Sequence, residues 1–247
     1  MRWESLRAAK QEEMSRLAAV TVSEMTPSIR DFAQYVTTQK QDLAIIAALK
    51  RTDPQTGQTW PDRNLVALAQ ECDDAEVGAI GVYAEPSVFG ILPADVRAIA
   101  TAVSAPIFSL DLILYPTQIY HARLCGADAV LLHAGVVDTA TLESLVTAAS
   151  SVHVASVVAV QTQTELAQAL DIGAFILAIT SPSGTFDLAH IATLASLVPP
   201  QKTIIALDEI STSEEYAALR GKVDAVMVGN VLLDAADVSA ALAGLVG

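Results

Sequence analysis

Four strand-like stretches of this chain are versions of one phrase: Val77-Gly78-Ala79-Ile80-Gly81-Val82-Tyr83, Gly126-Ala127-Asp128-Ala129-Val130-Leu131-Leu132, Gly173-Ala174-Phe175-Ile176-Leu177-Ala178-Ile179 and Val223-Asp224-Ala225-Val226-Met227-Val228-Gly229. They recur at intervals of roughly 47 to 50 residues, about twice the length of one strand-plus-helix unit. That is the spacing of alternate strands in an eightfold β/α barrel. Around them strand and helix patterns alternate to the end of the chain. Strands are predicted over 43–49, 78–83, 106–110, 128–133, 154–160, 174–180, 203–207 and 224–228. Most are short and almost continuously apolar, as parallel strands buried on both faces should be. Helices are predicted between them at 62–75, 93–103, 116–125, 138–149, 162–171, 187–197, 212–220 and 236–245.

Two further helices precede the first strand. Leu6, Met14 and Leu17 share one face of a predicted helix over 3–19. A second is predicted over 27–37, entered through Thr26-Pro27, an N-cap followed by proline at the first helical position. The expected fold class is therefore α/β: a (β/α)8 TIM barrel with extra N-terminal helices. It is read as one domain, 1–247, with 1–40 as a helical extension packed on the barrel. A length of 247 residues suits this architecture. A doubly wound open sheet is the rival, but no G-x-G-x-x-G word follows the first strand, and an open sheet does not generate a repeat in every second strand. In a barrel the active site lies at the C-terminal strand ends. The longest βα loop there, from Arg51 to Pro61, carries Asp53-Pro54-Gln55-Thr56-Gly57 and is the natural lid.

Charge and composition remove several classes of function. The formal charge of −14 argues against nucleic acid and anionic membranes, both of which need clustered Lys and Arg. No apolar run approaches the roughly 18 residues of a membrane span, and the charged N-terminus lacks a signal-peptide core, so a cytoplasmic location is expected. Cys72 and Cys125 read as buried thiols. His121, His133, His153 and His190 show no ligand spacing, so no metal site and no cofactor are expected. A small-molecule ligand or a protein partner is left as the expected binding role.

Several local words resemble the indole-3-glycerol phosphate synthase family. They are Arg30-Asp31-Phe32, Ile45-Ile46-Ala47-Ala48-Leu49-Lys50-Arg51, Asp53-Pro54 with Gly57, Phe89-Gly90, and Asp111-Leu112-Ile113 followed by Pro116-Thr117-Gln118-Ile119-Tyr120. Ala122-Arg123 with the 126–132 word, and Val228-Gly229, complete the set. The likeness spans essentially the whole chain, and Asp111 to Leu132 is its most specific part. It implies a barrel that closes a carboxyphenylamino-deoxyribulose phosphate to an indole with loss of CO₂ and water. That reaction needs a general acid, carboxylates that move protons, and an anchor for the substrate's negative groups.

Set against the family's usual words, this chain departs where that chemistry would sit. The glutamate two positions before the first-strand lysine is Ala48, and the lysine preceding the third-strand aspartate is Leu110. The fifth-strand glutamate is Ala159 and the sixth-strand asparagine is Thr180. The seventh-strand Ser-Glu-Ser-Gly word reads Ala206-Leu207-Asp208-Glu209, so its glutamate and its phosphate-contacting glycine go together. One missing acid or base typically costs 10²- to 10⁴-fold. The expectation is a retained fold without efficient synthase activity.

The surviving polar groups are Lys50, Asp111, His133 and Asp208 as candidates for chemistry, and Lys50, Gly229, Asn230 and Thr180 as candidates for ligand or phosphate contact. Each has a structural alternative. Lys50 could pair with Asp53 or Asp111, Asp111 could buttress a neighbour, and His133 could be a satisfied strand-end histidine. Asp208 and Glu209 could form an acid/base or metal-leaning pair with Asp111, and Thr180 with Ser181 could cap a helix.

Overall fold

The structure is a computed structural model that describes residues 10–12, 14, 25–37 and 43–247. Eight parallel strands close in sequence order into a barrel: β1 (Ala44–Leu49), β2 (Ala79–Val82), β3 (Ile107–Ser109), β4 (Ala129–His133), β5 (Ala155–Val160), β6 (Ile176–Ile179), β7 (Thr203–Glu209) and β8 (Ala225–Val228). Eight β/α units of near-equal length leave no free edge when the last strand pairs with the first, as β8 does with β1.

The helices are α1 (Phe32–Thr37), α2 (Leu65–Asp74), α3 (Pro86–Phe89), α4 (Pro93–Ala102), α5 (Pro116–Leu124), α6 (Thr139–Ser151), α7 (Gln163–Asp171), α8 (Leu188–Ala195), α9 (Ser213–Leu219), α10 (Asn230–Asp234) and α11 (Val238–Val246). Most of the predicted elements lie within a residue or two of these. The short helices α3 and α10 follow strand ends in what the sequence suggested were loops.

Strand residues alternate between two cores, which is the period-2 rule on a closed sheet. Residues such as Ala47, Leu49, Ile80, Val130 and Val158 pack outward against the helices. Ile46, Ala48, Phe108, Leu110, Leu131, Val157, Ala159, Ile205 and Met227 fill the barrel interior, with Phe32 and Val36 of α1 joined to them. Phe32 packs on Phe108 with ring centroids 5.2 Å apart. Helix α1 of the N-terminal extension thus plugs the barrel at the end where strands begin.

The predicted helix over 27–37 starts late. Asp31 Oδ1 accepts the Gln34 N–H, so Asp31 caps α1 in place of Thr26. The preceding residues are held by tertiary bonds: Ser28 Oγ donates to Asp128 Oδ1, and the Arg30 guanidinium donates to the carbonyls of Ala100, Val103, Ala105 and Gly126. Of the predicted helix over 3–19, Lys10–Glu12 and Met14 are helical, and the rest lies outside the described residues.

The repeated phrase does its work at this closed end. Asp128 Oδ2 accepts the Ile107 N–H and Asp224 Oδ2 accepts the Ile204 N–H. Each aspartate ties the start of its own strand to the start of the strand before it. Arg30 and Arg123 add ion pairs to Asp128 at 2.7 and 2.8 Å. The repeat therefore marks a structural rim, and the opposite rim carries the cavity.

Candidate functional site at the open end of the barrel

At the C-terminal strand ends a cavity of about 830 Å³ is lined by Lys50, Asp53, Tyr83, Glu209 and Asn230, and by the loops at 54–56 and 183–186. It lies where the fold places ligands. A smaller hollow of about 280 Å³ beside Arg30, Arg97 and Arg123 lies at the other end. There Arg30 and Arg123 are already committed to backbone carbonyls and Asp128.

The charged heart of the cavity is a mutually bonded group. Lys50 directly follows β1, is 4% exposed, and donates to Glu209 Oε1 at 2.7 Å. Its ammonium also lies 3.2 Å from Asp53 Oδ2 and 5.4 Å from the centre of the Tyr83 ring. The Tyr83 hydroxyl donates to the same Glu209 oxygen at 3.1 Å. Burial, with the Glu209 charge beside it, pushes the Tyr83 hydroxyl well above its usual pKa, so it stays a donor.

Glu209 reaches this position through an irregularity. Ala206 pairs with Val226, but Glu209 pairs with the next residue, Met227, so β7 bulges by two residues at its end. The strand consequently runs to Glu209 rather than ending at 207 as predicted. The bulge delivers the carboxylate onto Gly229, where a Cβ would sit 2.1 Å from Glu209 Oε2. Asn230 N–H donates to that oxygen at 3.3 Å.

Asp53 anchors the first βα loop. Its carboxylate accepts the Gln55 N–H at 2.8 Å and the Asn230 amide at 2.8 Å. Burial raises its pKa, but the Asn230 and Gln55 bonds and the Lys50 charge outweigh that and bring it to about 2. The same loop crosses the cavity, where Gln55 Nε2 donates to Gly184 O at 2.9 Å.

The other candidates stand apart from this group. Asp208 lines the cavity but is bonded outside this group, accepting from the Thr180 hydroxyl at 2.6 Å and from the Ser181 N–H at 2.8 Å. Burial raises its pKa against these bonds. Thr180 is thereby bound to Asp208. Asp111 and Glu85 hold the Lys10 ammonium between them, at 2.7 and 2.5 Å. Lys10 is fully buried, so a lysine from the N-terminal helix reaches the mouth beside β2 and β3. Burial raises the Glu85 pKa, but its partners Lys10 and Ser87 outweigh that, and its net shift is downward. His133 ends β4, and burial pushes its imidazole down to about 4, so it is neutral at pH 7.

The structure thus brings Lys50, Asn230 and Gly229 together, and leaves Asp111, His133 and Asp208 in separate places. Of the two partners the sequence offered for Lys50, Asp53 is there and Asp111 is not; sequence reasoning missed Tyr83 and Glu209 beside Lys50, and it missed Lys10 altogether. No local signal could have placed Lys10, whose partner Asp111 lies 101 residues away. Among the described residues no three His, Cys, Asp or Glu side chains gather at metal-binding spacing. No helix among them is long and apolar enough to cross a membrane.

Comparison with known proteins matches this arrangement to one family. The family profile described as indole-3-glycerol phosphate synthase matches residues 2–245. A protein of that name from Ruminiclostridium cellulolyticum is 30% identical over 210 residues, covering 83% of this chain and 81% of the relative. One from Kineococcus radiotolerans is 31% identical, covering 84% of this chain and 77% of its own length. One from Desulforamulus reducens is 29% identical over 248 residues, covering 96% of this chain and 93% of the relative. An eight-stranded closed barrel entered by N-terminal helices, matched along nearly its whole length, places this chain in the indole-3-glycerol phosphate synthase family.

Proposed function

We propose that this family member has kept the barrel and given up efficient synthase chemistry, its open end serving instead to bind a small polar ligand or a partner. One observation carries the reading. Ala48, Leu110, Leu131, Ala159 and Leu207 face inward near the strand ends, and none of them can move a proton. Lys50, at the end of the first strand, is tied to Glu209 and Asp53. A ring closure with loss of CO₂ and water needs an acid and a base within reach of the reacting atoms. When several members of such a set are missing together, what is left is mostly binding and orientation.

The remaining polar groups suit binding. The buried Oδ1 of Asn230 has no donor among the described residues, and a ligand N–H or O–H in the cavity would supply one. The wall is acidic, with Asp53, Asp208, Glu209 and Glu215 against Lys50.

The second reading is an active synthase, a carboxy-lyase of tryptophan biosynthesis. The names of the related proteins favour it, with Lys50 as acid once a substrate has displaced Glu209. A turnover assay with carboxyphenylamino-deoxyribulose phosphate, together with rescue of a tryptophan-requiring strain, separates the two. We expect no turnover above background and no rescue. Rescue at a normal growth rate would establish the second reading and end the first.

A further inference from the structure

The Glu209 carboxylate sits in surroundings built for an oxyanion. Three donors converge on it from three strand ends: Lys50 Nζ at 2.7 Å, Tyr83 OH at 3.1 Å and Asn230 N at 3.3 Å. The fourth wall is Gly229, whose missing side chain is the hollow the carboxylate fills, with Oε2 and Oε1 at 2.1 and 2.7 Å from where a Cβ would stand. A cation, a neutral hydroxyl, a backbone N–H and a glycine hollow facing an open cavity make a receptor for any compact anion. In this chain a β7 bulge swings the receptor's own anion into it.

We infer that Glu209 is a tethered occupant of an oxyanion site, and that this one side chain sets the cavity against phosphate and phosphate esters. The inference deepens the proposed binding role and rests on it, because a protein working on a phosphorylated substrate would have to expel Glu209 at each turnover. The physical reason is competition within the molecule. A carboxylate on the same chain acts at a high effective concentration. A free anion binds only the fraction of molecules in which the site is open, and if that fraction is about 1%, apparent affinity falls about 100-fold. Charge acts in the same direction, since Glu209 and an incoming anion repel one another in a partly dry site.

Glu209→Gly removes the occupant and leaves the three donors around an empty hollow. Asp53 stays charged, but four donors already hold it: Gln55 N, Thr56 N, Asn230 Nδ2 and Lys50 Nζ. Titration with inorganic phosphate, read by calorimetry and by thermal midpoint, tests the inference. We expect Glu209→Gly to bind phosphate saturably and at least about 100-fold more tightly than the wild type. Adding Lys50→Met to that variant should abolish the binding. Glu209→Ala is measured alongside, so that the backbone freedom of a new glycine does not decide the result. Cooperative melting of both variants with no phosphate binding would overturn the inference. So would phosphate binding by the wild type within tenfold of the variants. Failure of the wider reading shows elsewhere, as synthase turnover by the wild-type protein, so the two cannot be confused.

Discussion

On the β7–β8–β1–β2 side of the barrel mouth, Glu209, Asn230, Lys50, Asp53 and Tyr83 hold one another in a continuous set of ion pairs and hydrogen bonds. On the β4–β5 side the inward positions are Leu131 and Ala159, with His133 above them kept neutral by burial. Both arcs sit at equivalent ends of equivalent strands. The first retains charge and neutralises it internally, whereas the second replaces charge with aliphatic surface and so removes the desolvation cost. A mouth can therefore stop presenting reactive groups in two ways, and this chain uses one on each side.

The sharpest way to break the contrast is to remove the cation from the polar arc. Lys50→Met leaves the Glu209 and Asp53 carboxylates facing each other without their shared ammonium. Loss of one partner from a buried pair typically costs about 3–5 kcal/mol, and urea unfolding at pH 7 should show a loss of that order. A change below about 1 kcal/mol would mean that the arc is wet and weakly coupled.

Acid separates the arcs by pH. The folded-state pKa of His133, about 4, lies below its ordinary value of 6.5, so the unfolded chain binds that proton more readily. Its contribution is whole above pH 6.5 and is lost as pH falls through 4, up to about 3 kcal/mol. His133→Phe should flatten stability across that window. Asp53 works lower: its pKa of about 2 lies below the usual 3.8. Its contribution is whole above pH 3.8 and disappears as pH falls through 2, about 2 kcal/mol at most. Stability curves for Asp53→Asn should part from the wild type above pH 4 and converge with it at pH 2.

The smallest effect concerns the lid. Gln55→Ala cuts the exposed bond from the first βα loop to Gly184 O, with an expected cost of about 1 kcal/mol or less. Hydrogen exchange should quicken in residues 54–57 and 183–185 and remain unchanged in the strands. Uniform quickening would show that the loop contributes to the barrel itself.

The barrel was legible because its signals are local and periodic. Most strands are apolar runs and most helices amphipathic, and the four repeated phrases mark β2, β4, β6 and β8. The mouth was legible only in part. Lys50, Gly229 and Asn230 could be placed by strand direction, which follows from the order of elements. Asp208 and Glu209 could not be sorted, because adjacent residues face opposite sides of a strand and a bulge shifts which one enters the barrel. Lys10 was invisible because its partners Glu85 and Asp111 are brought to it by the fold and by nothing nearby in the chain.

The paired aspartates at the closed rim, Asp128 and Asp224, have one more consequence. They fasten neighbouring strands at the end farthest from any chemistry, and so they divide the molecule's tolerance to change. Substitutions at the two rims share no partners, so their costs should add. A lineage could then rewrite the ligand face repeatedly while the foundation on which it stands goes on paying nothing for the experiment.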